Sequence, residues 1–172
     1  VRRFHQRGQT APPAAQLPLA GFYHPRWPQI EGQAGALDKL PFDASNVKLA
    51  KTGREKAAPE TVAIAVNNAV FTGADTGWLD TLIAALEQRG LRAYAFYGPR
   101  QQKDLFFQAT HISTAAGRRR VADVIINAAL VFNPTERKAE LERIGVPVLQ
   151  TMPALAKNPA EWAQSRDGLA LS

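Results

Sequence analysis

The 172-residue chain has no cysteine and a single methionine. The missing cysteine excludes a disulfide framework, a thiolate metal site and a cysteine nucleophile. It accords with a reducing cytosol, so a cytoplasmic location is the expectation. No apolar run approaches the length of a membrane span, and no secretory leader pattern is present. The loop after the first predicted strand carries neither G-x-G-x-x-G nor G-x-x-x-x-G-K-[ST], so neither standard nucleotide site is expected. There is no G-x-S-x-G nucleophile elbow. The three histidines are His5, His24 and His111. None has a second His, Asp or Glu at metal-ligand spacing on a helix, so no metal and no cofactor bound by this chain is expected. His111 falls in the middle of a predicted helix and reads as a surface or internally satisfied histidine.

What is present is enough hydrophobic sequence, 45% of the residues, for one α/β domain with an appendage. The net charge of +6 is unevenly spread. Residues 1–56 hold nine Lys or Arg against four acids, and the remainder holds twelve against eleven. The basic excess therefore belongs to the leading segment. Its bases are scattered and it has no nucleic-acid motif, so it reads as a solubilising arm and no nucleic-acid partner is expected.

Residues 1–60 form that arm. VRRFHQRGQTAPPAAQ reads as an extended connector. Residues 17–60 contain five prolines and no sustained period, which predicts an irregular segment lying over another surface. Within it, GFYHPRWP (21–28) concentrates three aromatics, and Phe22, Tyr23 and Trp27 are expected to brace the arm against the domain. From residue 61 the pattern changes. TVAIAV (61–66), LRAYAFYG (91–98), VADVIINAALVF (121–132) and VPVLQTM (146–152) read as buried strands. TGWLDTLIAALEQRG has Trp78, Leu79, Leu82, Ile83 and Leu86 at helical spacing, with Asp75 or Thr76 to cap it and Gly90 to end it. Residues 100–120 read as a polar helix with one apolar face, 135–145 as a short helix, and 158–165 as a last turn or two started by Asn158 and Pro159. Trp78 and Trp162 are placed in the core. Arg118, Arg119 and Arg120 are taken as a solvated helix end.

Strands alternating with helices predict an α/β fold, a three-layer doubly wound parallel sheet of flavodoxin or Rossmann type, over residues 61–172. Ligands on such sheets bind beyond the carboxyl ends of the strands. Asn67, Asn68, Asn127 and Gln150 lie at those ends, where amides can bind a ligand carboxylate or amide or can cap loop backbone. His24 joins them as a candidate ligand contact.

Several stretches together carry a resemblance. GFYHPRWP is similar to the GxYHP segment of the cobaltochelatase large-subunit family, which also includes the large subunit of magnesium chelatase. VAIAVNNAVFTGADTGWLDTLIAALEQRGL (62–91) resembles that family's first strand, loop and helix. ADVIINAALVF (122–132), GVPVLQTM (145–152) and EWAQSRDGL (161–169) resemble three later family stretches, in the same order. Asn67, Asn68 and Val70 stand where the family usually has an aromatic, an arginine and a histidine, and Ala129 replaces its usual threonine. The chain, starting at Val1, reads as an N-terminal portion of such a subunit.

The resemblance implies ATP-dependent cobalt insertion into a corrin-ring precursor, hydrogenobyrinic acid a,c-diamide, in cobalamin biosynthesis. It implies that ATP is hydrolysed by separate ATPase-type chelatase subunits. The partners it implies are those subunits, the rest of the large subunit and the tetrapyrrole substrate. Cobalt and ATP belong to the parent complex, and this portion is expected to scaffold or bind substrate and to be inactive alone. The competing readings are a stand-alone tetrapyrrole or small-ligand domain and a docking module for the ATPase subunits.

Overall fold

The computed structural model describes residues 18–31, 60–73, 75–98, 103–115, 117–129, 134–151 and 159–164, with residues 27–31, 113, 114, 134, 159 and 162 described by backbone alone. Its centre is β3 (Thr61–Ala65), which runs parallel to β4 (Arg92–Tyr97) on one side and to β7 (Val124–Asn127) on the other. β8 (Val148–Gln150) pairs in parallel with β7. These are the four predicted strands. All five residues of β3 are buried, as a strand covered on both faces requires.

Alternate side chains feed two cores. On one face Ala63, Ala65, Tyr94, Phe96 and Ile125 pack with Phe106, Ala109, Ile144 and Val146. On the other Val62, Ile64, Val66, Ala93, Ala95 and Tyr97 pack with Leu79 and Ile83. The first core is covered by α3 (Leu105–Thr110) and α4 (Pro134–Ile144), the second by α1 (Ala69–Thr72) and α2 (Gly77–Gln88). Helices on both faces give the three layers. α5 (Pro159–Gln164) follows β8.

The GFYHPRWP segment is not irregular. β1 (Gly21–His24) and β2 (Trp27–Glu31) form an antiparallel hairpin whose first strand pairs antiparallel with β4. The sheet is therefore mixed, with six strands in the order β2-β1-β4-β3-β7-β8 among the described residues. Pro28 is tolerated because β2 is the edge strand, where a missing N–H breaks no ladder. Phe22 and Tyr23 enter opposite cores, so these two aromatics do brace the segment, but as members of the sheet, while the Trp27 side chain lies outside the described residues. The remaining arm, residues 1–17 and 32–59, lies outside the described residues.

Residues 100–120 also depart from the predicted helix. α3 stops at Thr110, and β5 (His111–Thr114) pairs with β6 (Gly117–Arg120) in a separate two-stranded hairpin. Thr110, Ile112 and Thr114 are β-branched at a period of two, which favours extended backbone. Gly117 takes a φ of +113°, open to glycine and strained for other residues. His111 is thus the first residue of a strand, and the three arginines lie on a strand and not at a helix end. The predicted third strand shortens to β7, and the loop after β3 holds α1.

α2 ends as predicted. Gly90 has a φ of +82°, its N–H donates to the Glu87 carbonyl, and the Leu91 N–H donates to the Leu86 carbonyl, closing a Schellman motif. At the other end Thr76 occupies the cap position, but its hydroxyl donates to Asp80 at 3.4 Å and makes no capping bond. Trp78 is 41% exposed and not core, because the buried stripe runs through Leu79 and Ile83 and Trp78 lies on its flank.

Truncating the central strand should be costly. Ile64 is fully buried, so Ile64→Ala is expected to lower unfolding free energy by about 2–5 kcal/mol, measured by urea denaturation. A loss well under 1 kcal/mol would contradict a doubly covered β3.

Candidate functional site

After β3 the chain turns to β4 on one side, then returns to β7 and β8 on the other. The winding direction therefore reverses between β3 and β7, and the crevice beyond their carboxyl ends is the topological switch point where ligands of such sheets bind. Asn67 and Asn68 leave β3 at this crevice, Asn127 ends β7, and Gln150 ends β8 one strand further on.

The structure joins two of these amides. Asn127 is fully buried. Its Nδ2 donates to Gln150 Oε1 at 2.7 Å, and its Oδ1 accepts from the Ala129 N–H at 3.2 Å. The Asn127 carbonyl accepts from Gln150 Nε2, from the Thr151 hydroxyl and from the Thr151 N–H. The side chain of Asn127 thus locks the exits of β7 and β8 together, a buried polar group with its partners in place. Gln150 itself is exposed. Asn67 Oδ1 accepts from the Ala69 N–H at 3.0 Å, shaping the entry to α1, while Asn68 is exposed at the lip of the crevice. Trp78 lies in the first turn of α2, on this same carboxyl side of the sheet.

His24 stands apart. The β1–β4 register carries it towards the amino ends of the parallel strands, and its partner Glu87 lies in the last turn of α2. His24 is 2% exposed. Its Nδ1 accepts from the Arg26 N–H at 3.1 Å, so Nε2 carries the proton and donates to Glu87 Oε1 at 3.1 Å. Arg26 closes the triad through an ion pair with Glu87. Burial holds the imidazole below its ordinary value, against the pull of the Glu87 carboxylate. One strand position earlier, the Tyr23 hydroxyl donates to Asp80 Oδ1 at 2.6 Å. The hairpin is thereby pinned along α2.

Among the described residues no group of three or more His, Asp or Glu side chains has the arrangement of a metal site, and no helix is long and apolar enough to cross a membrane.

A family model described as CobN/magnesium chelatase matches residues 1–172. The chain belongs to the CobN/magnesium chelatase family. Among solved structures, the catalytic subunit of cobaltochelatase from Mycobacterium tuberculosis is similar over 94% of this chain, with a TM-score of 0.55 and 18% identity. At that identity the likeness is one of fold. The chain spans 12% of the length of that subunit. Curated protein sequences give no match. This member of the CobN/magnesium chelatase family thus presents a mixed α/β sheet whose switch point is lined by amides.

Sequence reading found the amides but missed their pairing. Thr151, Glu87 and Asp80 had no local signal, since each acts through a partner 24 to 63 residues distant.

Two outcomes follow for this CobN-family chain. Asn127→Ala removes the side-chain bonds to Gln150 and to the Ala129 N–H from a fully buried position and is expected to cost about 1–3 kcal/mol, whereas the exposed Asn68→Ala should stay within about 0.5 kcal/mol; thermal melts of both variants measure the contrast, and equal effects would contradict the lock. The second concerns pH. Because the folded His24 titrates below the ordinary 6.5 of the unfolded chain, the unfolded state binds more protons as pH falls through that value. Stability is then lost on acidification and is fully present above it. His111, also held low by burial, adds in the same direction. The melting temperature should fall between about pH 7.5 and pH 5.5, and His24→Asn should flatten that slope whatever its cost at neutral pH.

Proposed function

We propose that this chain is a substrate-holding portion of a chelatase large subunit. It would take one edge of a tetrapyrrole at the switch-point crevice while cobalt is inserted into a corrin precursor of the hydrogenobyrinic acid a,c-diamide type. The observation that carries this is the placement of Asn68 and Gln150, both exposed, on either side of the buried Asn127 lock. The Asn68 amide can donate and accept at once, while Gln150, whose Nε2 is spent on the Asn127 and Thr151 carbonyls, keeps a lone pair on Oε1 to accept, so the two suit a macrocycle rim that carries both carboxylates and amides. The lock fixes Gln150 before any ligand arrives, which lowers the ordering cost of binding. Membership of the family supports the reading, as does the fold shared with a subunit named as the catalytic subunit of cobaltochelatase.

In this reading the chain positions and does not react. Proton removal from the pyrroles and handling of cobalt, the inserted substrate, fall to the rest of the large subunit. ATP is hydrolysed by partner subunits, in keeping with a first loop that lacks a phosphate-cradling glycine motif. The work left to this portion is orientation, through hydrogen bonds at the macrocycle rim.

The test is a titration of the chain with hydrogenobyrinic acid a,c-diamide, a porphyrin and haem, followed by tryptophan fluorescence. Trp78, exposed on the carboxyl side, is the reporter, and Trp78→Phe identifies its share of the signal. Saturable quenching by the corrin precursor is expected, with affinity reduced about tenfold in Asn68→Asp/Gln150→Glu, where two carboxylates face the ligand's own. Quenching by none of the three macrocycles would overturn substrate contact on this chain.

A further inference from the structure

The β5–β6 hairpin is outside the six-stranded sheet and carries Gly117, Arg118, Arg119 and Arg120, all exposed. It adjoins the end of α4, since Arg120 Nη1 donates to the Gly145 carbonyl at 3.4 Å. Strand β7 begins shortly after the hairpin, so this surface is on the amino side of the sheet, opposite the amide crevice. We propose that the hairpin and the adjoining end of α4 form a docking surface for an acidic protein segment, with Arg118 and Arg119 as its principal contacts.

Three observations support this. First, the surface is built, not merely charged. The rings of Phe107 and His111 stack at 4.1 Å and 9°, and the guanidinium groups of Arg118 and Arg143 each lie 5.1 Å from the centre of the Phe107 ring. Arg143 is tied to Asp104 at 2.5 Å. Beneath them Glu140 accepts from the Phe106 and Phe107 N–H groups at 2.8 and 3.2 Å and pairs with Arg137, fastening α3 to α4. Arginines held on an aromatic face lose little further freedom when a carboxylate arrives.

Second, the charge is available. Among the described residues no carboxylate lies within ion-pairing distance of Arg118 or Arg119, while Arg120 has only Asp123 at 4.0 Å. Arg118 and Arg119 leave opposite faces of the strand, so a partner reaching both must wrap the hairpin. Planar guanidinium groups bind carboxylates in bidentate fashion.

Third, the surface mixes signs. Asp104 and Asp123 border the arginines through their pairs with Arg143 and Arg120. A nucleic-acid backbone calls for a continuous cationic track. A short cationic patch with acidic borders fits a protein segment of complementary pattern.

The test uses the whole chain, a fluorescein-labelled glutamate-rich peptide of about ten residues and a DNA duplex of equal charge, with binding read by anisotropy at low and moderate salt. Arg118→Gln/Arg119→Gln should weaken peptide binding about tenfold. Arg89→Gln, just after α2, and Arg2→Gln/Arg3→Gln in the leading arm should each stay within about twofold. If the double variant melts early, Arg119→Gln, which takes no part in the Phe107 stack, replaces it with a proportionately smaller loss. Peptide binding that ignores the hairpin variants, tracks the arm variant or yields to the DNA duplex overturns the proposal. Failure of the macrocycle titration would leave this result untouched, since the two surfaces lie at opposite ends of the sheet.

Discussion

Burial of β3 on both faces is the constraint on which the rest of the molecule depends. A strand with no solvent face must be covered twice, and its alternating side chains then seed two cores at once. Val62 and Ile64 set the core under α1 and α2, and Ala63 and Ala65 set the one under α3 and α4. The two alanines matter as much as the larger residues. Their small side chains leave room on that face for Tyr94, Phe96 and Phe106, the last two meeting edge to face at 5.3 Å. The Tyr94 hydroxyl, fully buried there, donates to the Ala109 carbonyl at 2.5 Å and so has its required partner. Strand pairing on both sides of β3 also fixes where the winding reverses, and hence where the crevice opens.

The entry to β3 is secured by side chain and backbone together. Asp123 Oδ2 accepts from the Thr61 N–H at 2.8 Å, and the Asp123 N–H donates to the Thr61 carbonyl at 2.8 Å. This clamp sets the β3–β7 register from the amino end, while the Asn127 network closes β7 on β8 at the carboxyl end. Because β7 is short, both of its ends are held by polar side chains rather than by a long ladder. The switch-point geometry is therefore decided by three polar residues whose removal would free strand ends as well as lose hydrogen bonds.

The parallel strands and the helices α2 and α4 were legible because their signals are local: short apolar runs, helical periodicity and Gly90 at a stop. The hairpin at GFYHPRWPQIE was hidden by its prolines. Pro25 falls in the turn and Pro28 on the edge strand, places where proline breaks nothing, and only the pairing with β4, 72 to 76 residues away, makes the segment a strand. Residues 111–120 were misread for a related reason. A polar stretch with scattered apolar residues satisfies a helical face about as well as a short hairpin, and Gly117 marks the turn only once its backbone conformation is known. Within the site, the residue types were readable and their partners were not. An asparagine at a strand end is equally suited to a ligand or to a neighbouring strand, and the choice for Asn127 is made by Gln150, which the fold alone brings within reach.

The two ends of the sheet divide the polar chemistry of the chain. At the carboxyl ends of β7 and β8 the strands themselves present neutral amides, Asn127 and Gln150 held by one another, while the charges on that side sit on helices, Asp80 in the first turn of α2 and Arg137, paired with Glu140, near the start of α4. At the amino side the groups are charged: the Arg26–Glu87–His24 triad, Arg120 with Asp123, and the arginines over Phe107. Helix dipoles do not account for the charges at the amino side, because α2 ends its last turn without a basic residue. What accounts for it is the hairpins. Both β1–β2 and β5–β6 turn at or near the amino side, and each brings charged residues there that the four parallel strands alone would not supply. The insertions that escaped the periodic reading are thus the ones that give this side of the domain its charge, and they do so without touching the crevice at the other end.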